Sequence, residues 1–188
     1  MTSATATTYE AYERLALADP DTPWEWYRGC ARRKPDMTQE HNEAASELGE
    51  QLVLQLRQRG YRVRMNTGRA KRRNQFAFIP DVFVLPLDLK RPRSESPGGL
   101  EAYEQPLPFV CEIWSPSTGE YDADEKLPEY RARGDLEIWR IHPYERTIVA
   151  WRRRPGGGYS ETHYGPGTLE VPVESLPGVV IAFPPLFE

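Results

Sequence analysis

The chain has two cysteines in 188 residues, Cys30 and Cys111, far apart and with no CxxC or Cys/His ligand spacing around them. That excludes a disulfide framework, gives no support to a structural zinc site, and fits a reducing cytosol. Long apolar runs are missing as well. No stretch approaches the roughly 18 consecutive apolar residues of a membrane span, and the opening MTSATATTYEAYERLALADPDTP has no basic region followed by an apolar one. The expectation is a cytoplasmic protein, neither secreted nor membrane-spanning. No charge sign dominates: 24 basic against 28 acidic residues give −4, which argues against a surface given over to phosphate binding. The glycines at 156–158 lack the Lys-Ser/Thr that follows them in a phosphate loop, and SPSTG has no Ser-His-Asp context. Helix-turn-helix and zinc-finger patterns are absent too, so base-specific readout finds no support.

What is present is a soluble, turn-rich globular chain, 39% hydrophobic with 18 prolines and 14 glycines, long enough for one ordinary core. Residues 1–35 carry Tyr, Trp and Pro without sustained periodicity and read as an N-terminal extension, with a short helix over 8–18 and an irregular WEWYRG segment. Residues 36–188 read as one domain. In it, Asp36 or Thr38 offers an N-cap, Ala45, Leu48, Leu52 and Leu56 recur at helical spacing, and Gly60 stops the helix. YRVRM, FAFIPDVFVLP, FVCEIW, LEIWRIH and TIVAWR read as five strands, the last two joined by a PYER turn. The polar, Pro/Gly-rich stretch between the second and third reads as a surface loop. ADEKLPEYRARG reads as a short helix ending at Gly134, with Pro128 confined to its first turn. Helices alternating with strands imply a mixed α/β sheet with helices on its faces.

Within that frame, one acid stands out. Glu112 sits among Phe109, Val110, Cys111, Ile113 and Trp114, and a carboxylate in an apolar strand needs a cation, a metal or a cleft. An ion pair, or an edge position facing water, is the ordinary alternative. Asp81 follows Pro80 directly into an apolar run; taken alone it could be a strand-entry cap. Two acids on successive strands can converge on one hard cation through oxygen ligands. Lys126 opens the short helix after the Glu112 strand, placed either to neutralise Glu112 or to meet negative charge on a phosphoryl group.

These residues carry a resemblance. PDV at 80–82, EIWSPST at 112–118, Asp122 or Asp124, Lys126, Tyr130, Gly134, EIWRIHP at 137–143 and a closing LPGVVI resemble the Uma-two restriction-endonuclease family over residues 38–187. The family is similar to PD-(D/E)XK nucleases. The resemblance implies a restriction-endonuclease-like α/β fold, a mixed β-sheet flanked by helices, and a Mg2+- or Mn2+-dependent hydrolase cutting DNA phosphodiester bonds. It implies Asp81, Glu112 and the Ile113 carbonyl as metal ligands and Lys126 as the catalytic lysine, and it is compatible with a homodimer. The superfamily's usual lysine, two residues after the Glu, is Trp114 here, so Lys126 must substitute from the following helix. His142 stands where an Asp is expected and reads as turn support. His41 is an auxiliary candidate, either a core-facing histidine or a contact at the rim of the site; Glu43 reads as a solvated acid. Arg57, Arg59, Arg62, Arg64, Arg69, Lys71, Arg72 and Arg73 occur with no acid between 57 and 73, and Arg69, Lys71, Arg72 and Arg73 are candidate phosphate contacts, a solvated hairpin being the alternative. The rival function is a noncatalytic nucleic-acid- or protein-binding module in which the acids and lysine form a structural ion cluster.

Overall fold

The computed structural model describes residues 3–5, 8–73, 75–89, 98–117 and 125–188. Among them are three α-helices, α1 (Tyr9–Ala18), α2 (Gln39–Leu56) and α3 (Leu127–Arg133), and a closing 3-10 turn (Pro184–Phe187). The second helix forms where the periodicity places it. Thr38 caps it by accepting from the His41 amide, and Ala44, Ala45, Leu48, Leu52 and Leu56 are buried along one face.

That face covers a six-stranded sheet in the order β12-β11-β10-β9-β7-β4. Its strands are β4 (Tyr61–Met65), β7 (Val82–Pro86), β9 (Phe109–Ile113), β10 (Glu137–His142), β11 (Thr147–Arg153) and β12 (Tyr159–Tyr164). β9 and β10 run parallel, joined through α3, and the other pairs are antiparallel. Alternation divides the strands cleanly: Val82, Val84, Phe109, Cys111 and Ile113 face α2, while Phe83, Leu85 and Val110 join Tyr130 and Trp151 in a second apolar cluster. A two-stranded ribbon, β13 (Glu170–Val173) with β14 (Val179–Ala182), packs on α2. Gln51 and Gln55 each donate to and accept from one residue of β14, Ala182 and Val180, so two helix side chains satisfy a strand edge that would otherwise be open to pairing.

The second six-stranded sheet has the order β1-β3-β2-β6-β5-β8, with β1 (Ser3–Thr5), β2 (Trp24–Tyr27), β3 (Cys30–Arg33), β5 (Arg69–Arg72), β6 (Phe76–Phe78) and β8 (Ala102–Tyr103). Here the structure departs from three expectations. The WEWYRG segment is not irregular: Trp24–Tyr27 is a buried strand, and its pairing with β6 joins the N-terminal residues to the sheet of the following segment. The stretch read wholly as a surface loop between the second and third strands contributes β8, which pairs parallel with β5. And FAFIPDVFVLP is two strands in two sheets, because Pro80 has no amide to continue a ladder.

That break belongs to a larger device. β4 pairs with β7 and β5 with β6, so these two pairs make one long hairpin, bent in both arms, its two halves in different sheets. The bends are Asn66 to Gly68 on one arm and Ile79 to Asp81 on the other, tied by the Asn66 amide donating to the Asp81 carbonyl at 2.9 Å. Asn66 and Gly68 have φ of +48° and +68°. A Cβ at Gly68 would stand 3.1 Å from the Phe83 ring as well as in a strained backbone conformation. Both candidate strand acids lie at the mouth of this bend: one step beyond the last β7–β9 pair, Val82 with Cys111, Asp81 lies across from Glu112.

Candidate active site

Asp81 is 1% exposed and surrounded by donors. Lys34 Nζ donates to its Oδ1 at 2.6 Å, the Ile113 amide donates to Oδ2 at 2.7 Å, and His41 Nε2, from α2, lies 3.0 Å from Oδ2. Burial alone would raise this carboxyl. The Lys34 charge, His41 and the more distant Lys126 charge overcome it and hold the group well below the usual carboxylate range. Lys34, itself buried, completes its three donors on the Ile79 carbonyl and Asn66 Oδ1, each at 2.9 Å.

Glu112 takes its partners from α3 and its N-cap. Lys126 Nζ donates to its Oε2 at 3.3 Å and the Tyr130 hydroxyl to its Oε1. Burial and the Glu112 charge push the Tyr130 hydroxyl well up, keeping it a proton donor. Lys126 also pairs with Glu25 Oε1 at 3.1 Å, and the same Glu25 oxygen accepts from the Ile79 amide at 2.7 Å. The two halves therefore meet at one peptide: the Ile79 carbonyl binds Lys34, the partner of Asp81, and the Ile79 amide binds Glu25, the partner of Lys126.

The structure thus brings Asp81, Glu112, Lys126 and His41 into one buried network. Ile113 enters it through its amide. Its carbonyl was the group the resemblance implied. Trp114, at the usual lysine position, stacks on His142 with ring centroids 4.2 Å apart. His142 Nδ1 accepts from the Glu145 amide, a turn-supporting role. Asp122 and Asp124 lie outside the described residues. The basic run is more committed than its sequence suggests. Lys71 pairs with Glu104 and Arg72 with Glu129, Arg69 donates through Nε to the Tyr12 hydroxyl, and Arg73 is exposed. The pairing acids come from distant parts of the chain, which a count within 57–73 cannot register.

Sequence reasoning missed Glu25 and Lys34. Glu25 carries the same signal as Glu112, one acid in an aromatic run, but WEWYRG was not read as a strand. Lys34 ends a basic tract, CARRK before Pro35, with no apolar neighbours to single it out. The helix that begins after Lys126 is fixed by the same N-terminal strands and by β5: Arg28 and Arg72 reach Glu129, and Arg32 reaches Glu125 at 2.7 Å. Gly134, at φ +88°, ends that helix where expected.

Three buried carboxylates, Glu25, Asp81 and Glu112, face two buried ammonium groups, Lys34 and Lys126. An excess of negative oxygen donors suits a hard divalent cation. Among the described residues no three His, Cys, Asp or Glu side chains cluster as a metal cage.

The Uma2 family model, described as “Putative restriction endonuclease”, matches residues 9–184. No curated protein matches the chain. Among solved structures, the crystal structure of a “putative nuclease belonging to DUF820” from Anabaena variabilis ATCC 29413 superposes with a TM-score of 0.71. Its identity is 20%, over 87% of this chain and 89% of that one. At that identity the likeness speaks for the fold, and it agrees with the mixed α/β, nuclease-like architecture expected from sequence. No helix among the described residues is long and apolar enough to cross a membrane.

Proposed function

Because the chain belongs to the Uma2 family, we propose that it is a divalent-metal-dependent endonuclease that hydrolyses DNA phosphodiester bonds in the cytoplasm. The observation that carries this reading is the joining of Asp81, Glu112 and Lys126 through the Ile79 peptide, with Lys34 and Glu25 as the links. Asp81, Glu112 and the Ile113 carbonyl would hold Mg2+ or Mn2+. When bound, that cation polarises a phosphoryl oxygen and acidifies a water. Lys34 and His41 keep Asp81 ionised and oriented, and Tyr130 fixes Glu112. Lys126 presents positive charge to the phosphoryl oxygens as negative charge develops on them. Arg69, Lys71, Arg72 and Arg73 contribute backbone contacts, with Arg69 free to do so through its terminal nitrogens. A homodimer would suit cutting of both strands.

The test is cleavage of plasmid, single-stranded and branched DNA with Mg2+ or Mn2+. Lys126→Met should abolish cutting while leaving DNA affinity within about threefold, because a contact used in the transition state adds little to ground-state binding. No cutting of any of the three substrates with either metal overturns the proposal. One observation favours a second reading, a noncatalytic nucleic-acid- or protein-binding module. Asp81 is engaged by Lys34 and His41 and Glu112 by Lys126 and Tyr130, so each acid already has a lysine partner. Under that reading neither metal binds at this cluster.

A further inference from the structure

The bend in the long hairpin leaves a recess beside Asp81. It is a cleft of about 560 Å³ between the end of α1 with the turn after it, the Lys34–Met37 segment, and Asn66 to Arg69. Its buried floor includes Lys34 and Ile79, the two residues that connect to Asp81 and Glu25. Leu17, Pro20, Pro23 and Leu100 give it apolar walls, and Asn42 and Asn66 give it amide groups near its exposed mouth. Arg69 lines it as well. Its Nε is held by the Tyr12 hydroxyl and its guanidinium lies 5.9 Å from the Tyr12 ring centroid, while its two terminal nitrogens make no hydrogen bond or ion pair among the described residues.

We infer that this cleft seats a single unpaired nucleotide of the DNA substrate, with its phosphate on the Arg69 fork within the field of Lys34 and its base against the apolar wall. The inference rests on the nucleic-acid reading of the neighbouring acids and adds the state of the strand that reaches them. Three features support it. The volume falls within the range, about 300–1,000 Å³, that encloses one drug-sized molecule; a nucleotide is of that size, whereas a base pair cannot enter without leaving its stack. Beside the exposed carboxylates of Asp21 and Asp36, the lining combines a guanidinium whose terminal nitrogens are open to bidentate phosphate contact, apolar surface for a base face, and amides that can meet a base edge. Lys34 has all three donors engaged, so it supplies charge while Arg69 supplies the hydrogen bonds. Asn66, at φ +48°, is a non-glycine residue in a left-handed conformation at the rim, the kind of strain that clusters at ligand sites.

The experiment is fluorescence anisotropy of a labelled five-nucleotide single strand, and of a blunt duplex containing the same sequence, with EDTA present. The single strand should bind at least about tenfold tighter than the duplex, and mixed deoxynucleoside 5′-monophosphates should compete. Arg69→Ala should weaken the single strand roughly tenfold, the effect of losing one charge-assisted contact. Thr67→Trp, which fills the mouth, should do the same. Arg154→Ala, on the turn after β11, should change nothing. Circular dichroism checks each fold, and Asn42→Trp on the exposed face of α2 replaces Thr67→Trp if that variant does not fold. Equal or tighter duplex binding, absence of single-strand binding, or insensitivity to both Arg69→Ala and the filling variant overturns the inference. Metal-dependent cutting of duplex with the cleft filled would overturn it and leave the nuclease reading standing. Tight single-strand binding with no cutting under either metal would do the reverse.

Discussion

Replacing Lys34 by Met keeps most of the side-chain volume and removes the ammonium that donates to Asp81 at 2.6 Å. The pair is buried, Lys34 being 6% and Asp81 1% exposed, so water cannot take over. The variant leaves a carboxylate whose remaining partners are the Ile113 amide and His41, and an Ile79 carbonyl with no lysine to accept from. Breaking one side of a buried pair costs about 3–5 kcal/mol. For a chain of this length, that corresponds to a fall in Tm of about 8–13 °C. Asp81→Asn in the same background removes the stranded charge, so the double variant should be more stable than the sum of the single losses by about 1–3 kcal/mol. Urea unfolding followed by circular dichroism, on wild type, both single variants and the double, measures all four corners of the cycle. A loss under about 1 kcal/mol for Lys34→Met, or strict additivity, would refute the buried pairing on which the site is built.

Two further outcomes follow from the same physics. The Tyr12 hydroxyl, completely buried, is pushed up to about 12 by desolvation, against the pull of Arg69. The unfolded chain therefore releases this proton near pH 10 while the folded one keeps it. Stability should be unaffected below pH 10 and fall by about 2–3 kcal/mol as pH rises toward 12, and Tyr12→Phe should flatten that slope in a pH series of urea melts. Gln51→Ala and Gln55→Ala each expose an amide and a carbonyl of β14. Each should cost about 1–2 kcal/mol, and the double variant should aggregate on mild heating, measured by light scattering, while single surface changes on α2 such as Glu50→Ala should not.

Much of this architecture could be read from local pattern. The second helix was legible because its cap and its buried stripe are encoded within one stretch, and α3 because Pro128 and Gly134 bracket it. Glu112 announced itself as an acid in an apolar strand. What local pattern did not carry was partnership between distant segments. FAFIPDVFVLP looks continuous until β2 claims Phe76 and Ala77 on one side of Pro80 and β9 claims Val82, Phe83 and Val84 on the other. Glu25 and Lys34 matter only because the bent hairpin delivers Ile79 between them, and nothing in WEWY or CARRK states that. The basic run likewise looked unpaired because Glu104 and Glu129, which neutralise part of it, are far away in sequence.

The central claim, that Asp81 and Glu112 form a divalent-metal site, is tested most directly by isothermal titration calorimetry of Mn2+ and Mg2+ into the wild-type protein and into Glu112→Gln. The account predicts saturable binding of one ion to the wild type and loss of that heat in Glu112→Gln, with folding of the variant confirmed by circular dichroism. Equal heats in both proteins, or none in the wild type, would contradict it and leave the buried acids and lysines as a structural ion cluster.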